Sequence, residues 1–141
     1  MRAAVPKSST ADVSLRWLRT LALAETYGLT QQTLGMFERV RQSLVQQRRF
    51  QDAVRVVLDV VWYDAYGPGA GSPDRETWIG HADQALRLAR RHGGLDLELL
   101  AEWRAACQSG VVEAHLMVRL MYGIRGLRVF APTVTLSSRA R

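Results

Sequence analysis

Residues 49–66 read RFQDAVRVVLDVVWYDAY, and they limit the architectures open to this chain more than any other stretch. Phe50, Ala53, Val54, Val57, Leu58, Val61, Trp62 and Ala65 recur at the three- and four-residue steps of a helix. Val56 and Val60 widen that stripe, leaving Asp52, Arg55 and Asp59 as a narrow polar edge. A helix apolar around most of its girth needs cover on two sides, so this one belongs at the centre of the fold. The sustained helical period outweighs the strand preference of the valines. With 141 residues, 48% of them hydrophobic and 23% charged, the chain is large enough to build that cover as one globular domain.

The flanking sequence also has helical spacing. Ser9 and Asp12 have the form of a capping box, opening a helix near residue 11 whose expected inner face is Trp17, Leu18, Leu21, Ala24 and Tyr27. Gly28 stops that helix, and Thr30 caps a second one running to about Gln47, with Leu34, Phe37, Val40 and Leu44 inward. GPGAGSPD (67–74) is a loop in which Ser72 and Pro73 look like a cap followed by a first turn. A fourth helix is expected over 75–92, with Trp78, Ala82, Ala85, Leu86 and Ala89 buried and Arg87, Arg90 and Arg91 outward or near its end. Asp96 caps a fifth helix with Leu99, Leu100, Trp103 and Cys107 inward, and Gly110 ends it. A sixth runs from Val111 to about Tyr122, where Met117 and Met121 suggest an apolar surface for a second copy. Val129–Phe130 and Thr133–Leu136 have strand composition, but Pro132 confines them to an edge or an extended tail. The expected fold is therefore all-α: about six helices in three stacked hairpins, a single domain over 1–124 and an extended basic tail over 125–141.

Charge is distributed unevenly within the net +6. Residues 1–50 carry eight basic and three acidic groups, residues 51–118 six and ten, and residues 119–141 five and none. Such a pattern suits nucleic acid, a second copy, or the chain's own acidic middle. Cys107 is the single cysteine, which removes intrachain disulfides and cysteine metal clusters and fits a reducing, cytoplasmic setting. No apolar run is long enough to span a membrane, and MRAAVPKSST lacks the apolar core of a signal peptide.

Catalytic and cofactor signals are weak. GPGAGS is followed by no Lys-Ser/Thr pair, and Pro68 lacks an amide that a phosphate would need. His81, His92 and His115 are too scattered to mark a metal site. In WYDAY (62–66), Asp64 sits among aromatics at a helix end, where solvent is the expected neighbour. The basic pairs Arg48-Arg49 and Arg90-Arg91 fall at helix ends, where they can cap carbonyls. No nucleophile has a base placed beside it, so neither an enzyme nor a cofactor is expected.

Two resemblances remain. Trp17, Gly28, Phe37 and Val40 sit at the spacings of tetratricopeptide-like helical hairpins, with Thr33 where that family prefers alanine. Tyr63 and Gly67, then Trp78, Ala82 and Ala85, repeat the pattern. That resemblance implies a non-enzymatic scaffold for a protein partner or a second copy. Its groove would be lined by the first helix of each hairpin, at Arg16, Arg19, Arg55 and Asp59. Leu23, Ala24, Tyr27, Gly28, Leu29, Leu34 and Phe37 also resemble the helix-turn-helix motif of bacterial repressors. That implies a DNA-binding regulator in which Thr30, Gln31, Gln32 and Thr33 meet bases or phosphates, with Arg39, Arg41, Arg48 and Arg49 near the backbone. The apolar girth of the third helix favours the scaffold.

Overall fold

The computed structural model describes residues 10–93, 96–123 and 133–137. Its elements are α1 (Thr10–Tyr27), α2 (Gln31–Gln46), α3 (Phe50–Tyr66), α4 (Arg75–His92), α5 (Leu97–Ser109), β1 (Val111–Val112), α6 (Ala114–Tyr122) and β2 (Val134–Thr135). The expected cap Ser9, the strand-like Val129–Phe130 and the arginines of the tail lie outside the described residues.

The protein is mostly helical, and the helices form three successive hairpins. α3 is the wall they share. Its Ala53, Val56 and Val60 pack into one core with Val13 and Ala24 of α1 and Phe37, Val40 and Leu44 of α2. On its other flank, Val54, Leu58 and Val61 join a second core built on Trp78, Trp103, Leu100, Leu116 and Met117. Val56 and Val60 are 1% and 8% exposed, so the widened stripe is covered as its composition requires. Arg55 and Tyr66 mark the exposed edge of this helix.

Two inner faces differ from the expected ones. In α1, Leu18 and Tyr27 are 63% and 67% exposed, while Val13, Thr20 and Ala24 are buried. In α2, Leu34 is 42% exposed and Thr33 lies inside in its place. Both threonines tolerate burial because a backbone carbonyl takes each hydroxyl. Thr20 Oγ1 donates to Arg16 O at 2.7 Å, and Thr33 Oγ1 donates to Gly28 O at 3.1 Å.

The helix ends follow local chemistry. Thr30 and Thr33 form a reciprocal capping box, with Thr33 N donating to Thr30 Oγ1 at 3.1 Å and Thr30 N donating to Thr33 Oγ1 at 2.7 Å. The cap of α4 is Asp74 rather than Ser72: it accepts from Glu76 N at 3.2 Å and Thr77 Oγ1 at 2.8 Å. Asp96 caps α5, accepting from Glu98 N and Leu99 N, and Gly110 ends it at φ +86°.

The start of the expected sixth helix is different. Val111–Val112 forms an antiparallel pair with β2, Val111 opposite Thr135 and Val112 opposite Val134. Leu136 N donates to Gly110 O at 2.7 Å, Ser137 N to Pro73 O at 2.7 Å, and Arg75 N to Ser137 O at 3.0 Å. Residues 133–137 are thus an extended strap tying the start of α4 to the α5–α6 turn, with Val134 and Leu136 buried in the second core. Met117 is 1% exposed and Met121 packs against the same core, so these methionines do not form the free apolar surface expected for a second copy.

Candidate functional site

α2 and α4 both pack on α3 but diverge above it, leaving a cleft. Its closed end is lined by Leu34, Phe37, Glu38 and Arg41 of α2, by Val56, Val57 and Val60 of α3, and by His81 and Gln84 of α4. That end has a volume of about 70 Å³. Arg41 and Gln84 also line an adjoining, more open hollow of about 660 Å³, the mouth, together with Arg87, Leu88, Arg90 and Arg91. The cleft therefore runs along α4 from His81 to Arg91, about 15 Å at 1.5 Å per residue.

Local sequence explains the lining. Because Leu86 and Ala89 turn into the core, Arg87, Arg90 and Arg91 must face outward, with Arg87 and Arg91 one turn apart. Cations in the last turn of α4 suit its dipole, but that does not account for Arg87 one turn earlier or for Arg41 on another helix. Arg41 is held by Glu38, its Nε donating to Oε2 at 3.0 Å and its Nη2 to Oε1. This hydrogen bond holds the Glu38 carboxyl below its ordinary value and raises Arg41, although partial burial opposes both shifts. Among the described residues, no carboxylate pairs with Arg87, Arg90 or Arg91. Beyond the mouth, His92 stacks on Phe50 with ring centroids 3.4 Å apart, and Arg48 stands 5.5 Å from the same ring. At the closed end, burial holds His81 below the usual imidazole value, with Asp64 and Glu38 pulling the other way. Its ring is mainly neutral at pH 7, which leaves the mutually paired Glu38 and Arg41 as the charged groups lining that end.

No family model, curated protein or solved structure matches this chain.

The groove residues expected from sequence are not brought into one open surface. Arg16 Nη2 reaches Ser43 Oγ of α2 at 3.5 Å, Arg19 is exposed on α1, and Arg55 pairs with Asp52 at 3.3 Å. Asp59 accepts the indole N–H of Trp17 at 2.8 Å, and Tyr63 OH donates to Glu25 at 3.0 Å, so the α1–α3 seam is laced shut. Of the DNA-contact set, Gln31, Gln32 and Arg39 are exposed, and Thr30 is engaged as a cap. Thr33 is 3% exposed with its hydroxyl bonded, so it does not face a ligand. Arg49 turns inward to Asp52 and Ser14, at 3.1 and 3.3 Å, and ties α1 to α3. Arg41 stands at the cleft, and Arg48 near its mouth.

Other reactive groups are held inert. Cys107 is fully buried, and desolvation pushes its thiol up to about 12, so it stays protonated at neutral pH. Asp64 is half-buried and accepts the indole N–H of Trp78 at 2.6 Å. The described residues contain no group of three or more His, Cys, Asp or Glu placed to hold a metal, and none of their helices is long and apolar enough to cross a membrane.

Asp59 gives the sharpest pH dependence. Burial raises its carboxyl from an ordinary 3.8 to about 6, against the opposing effects of Trp17 and Arg55. A carboxyl raised on folding favours the protonated form. Its stabilising contribution is full below about pH 4 and is lost as pH rises through about 6. Asp59→Asn keeps an acceptor for Trp17 and removes the charge. It is expected to stabilise the protein by about 1–3 kcal/mol at pH 7.5 and by little at pH 4. Urea midpoints at the two pH values check this; an equal effect at both would remove the charge argument.

Proposed function

We propose that this chain is a non-enzymatic helical-hairpin scaffold for protein–protein interaction, of the tetratricopeptide-like kind, and that it docks its partner in the α2–α4 cleft. The observation that carries this reading is the cleft itself. Two consecutive hairpins build its walls, a fully packed helix floors it, and three arginines at its mouth have no carboxylate partner among the described residues. Side chains on packed helices give such a surface a fixed shape, which suits recognition of another protein.

DNA binding is the second reading, and one observation favours it: Gln31 and Gln32 are exposed at the start of α2, just after the Gly28 turn. Burial of Thr33 and the internal engagement of Arg49 weigh against it. Titration of a labelled 16-base-pair duplex at 50 and 200 mM salt separates the two. A duplex reader contacting six or more phosphates loses about 10³-fold or more in affinity over that range. We expect only weak binding at the lower salt, unchanged by Gln31→Ala with Gln32→Ala. Tight, steeply salt-dependent binding that this folded double variant weakens would replace the scaffold with a DNA reader.

A further inference from the structure

The two ends of the cleft differ in chemistry, and together they describe the segment that fits. We infer that the docked element is an acidic amphipathic helix of a partner protein. An aliphatic side chain of that helix enters the closed end between Leu34, Val56, Val57 and Val60, and its carboxylates meet Arg87, Arg90 and Arg91 at the mouth. This inference rests on the protein-docking reading above and adds the chemistry of the partner.

The closed end has an apolar floor, a neutral His81, and a Glu38–Arg41 pair already bonded to each other, so a charged group entering it would lose hydration for little return. Its volume of about 70 Å³ has room for more than a single water, which suits a small branched aliphatic group. At the mouth, the exposed guanidiniums have no carboxylate partner among the described residues, and the fork of each matches a carboxylate.

The walls dictate the backbone of the ligand. α2, α3 and α4 have their amides and carbonyls bonded within their own helices, so they offer no ladder to an extended strand. A helix satisfies its own backbone and lays an apolar stripe and a charged edge side by side, which matches the two ends of this groove. A cleft of about 15 Å accepts about ten helical residues. The chain's own remaining segments do not qualify. Residues 1–9, 94–95, 124–132 and 138–141 contain no Asp or Glu, and all but 94–95 carry arginine or lysine. The negative charge that complements the mouth therefore points to a partner protein.

The probe is a displayed library of random 12-residue peptides, selected on the full chain alone, with the Arg87→Glu, Arg91→Glu variant kept for the binding measurements. Recovered peptides are expected to be rich in Asp and Glu, with Leu, Ile or Met at three- and four-residue steps, and to become helical on binding. Fluorescence anisotropy should show about tenfold or greater weakening by the arginine variant and by Leu34→Gln. Both changes are at exposed residues, and unchanged circular dichroism and urea midpoints confirm that the variants fold; Arg87→Gln with Arg91→Gln repeats the test without adding negative charge. Recovery of uncharged or basic peptides, or binding indifferent to the arginines, overturns this inference and leaves the docking reading standing. Loss with the arginine variants but not with Leu34→Gln overturns the aliphatic anchor. Recovery of no binder overturns the inference, and if the labelled duplex then binds in an arginine-dependent way, the docking reading falls with it.

Discussion

Phe37→Ala is expected to cost about 3–5 kcal/mol and to lower the unfolding midpoint of the entire protein, not of the first hairpin alone. The ring is 1% exposed, at the heart of the core between α1, α2 and α3. If that core were an independent unit, its loss would leave the other untouched. But Ala53, Val56 and Val60 serve one core while Val54, Leu58 and Val61 serve the other, on one continuous helix. Losing α3's cover on one flank removes the scaffold for the opposite flank. The readout is tryptophan fluorescence in a Trp17→Phe background, which leaves Trp62, Trp78 and Trp103, all on the second core. Their fluorescence transition should move to lower urea together with the loss of helical circular dichroism in the Phe37 variant. Leu58→Ala, from the other side, should cost about 2–5 kcal/mol and behave in the same way. Two separated transitions in either variant would show that the cores fold apart.

Gly28→Ala is the second large effect, expected at about 2–4 kcal/mol. Gly28 has φ +74°, a left-handed conformation that any β-carbon disfavours, and a β-carbon there would also run into the backbone carbonyl of Pro68. The elbow of the first hairpin is therefore pressed against the loop of the second. Gly69 is the control. Its φ is +72°, but nothing lies within 4 Å of its would-be β-carbon, so Gly69→Ala carries the conformational cost alone, about 1–2 kcal/mol. Equal losses at the two positions, measured by urea denaturation, would refute the close approach of elbow and loop.

The helices were legible in the sequence because a 3.6-residue period is a local property. In α4 and α5, where polar residues separate the apolar ones cleanly, every expected inward residue is buried. In α1, Leu15, Leu18, Leu21 and Leu23 surround much of the helix, so the pattern does not choose a face, and Thr20 enters because Arg16 O accepts its hydroxyl. The α2–α3 junction has no glycine to mark it; Arg48 takes the left-handed position at φ +59°. Val111–Val112 read as helix because their strand partner lies more than twenty residues further along the chain. The cleft was hidden for the same kind of reason. The outward turn of Arg87, Arg90 and Arg91 follows from their own helix, but nothing near them in the sequence says that Arg41 stands opposite or that three valines floor the gap. Likewise, Asp59 becomes the perturbed carboxylate through α1, which packs over it from more than forty residues away.

The strap formed by residues 133–137 sets an order of events during synthesis. All six helices precede it on the ribosome and can collapse as they emerge, because each hairpin joins near neighbours. The notch beside Val112 that receives Val134 and Leu136 stays uncovered until those residues have themselves been translated. A nascent chain stalled before that point would expose this greasy notch and the unpaired carbonyls of Gly110 and Pro73. Such an intermediate carries the exposed apolar surface and open strand edge that chaperones shield.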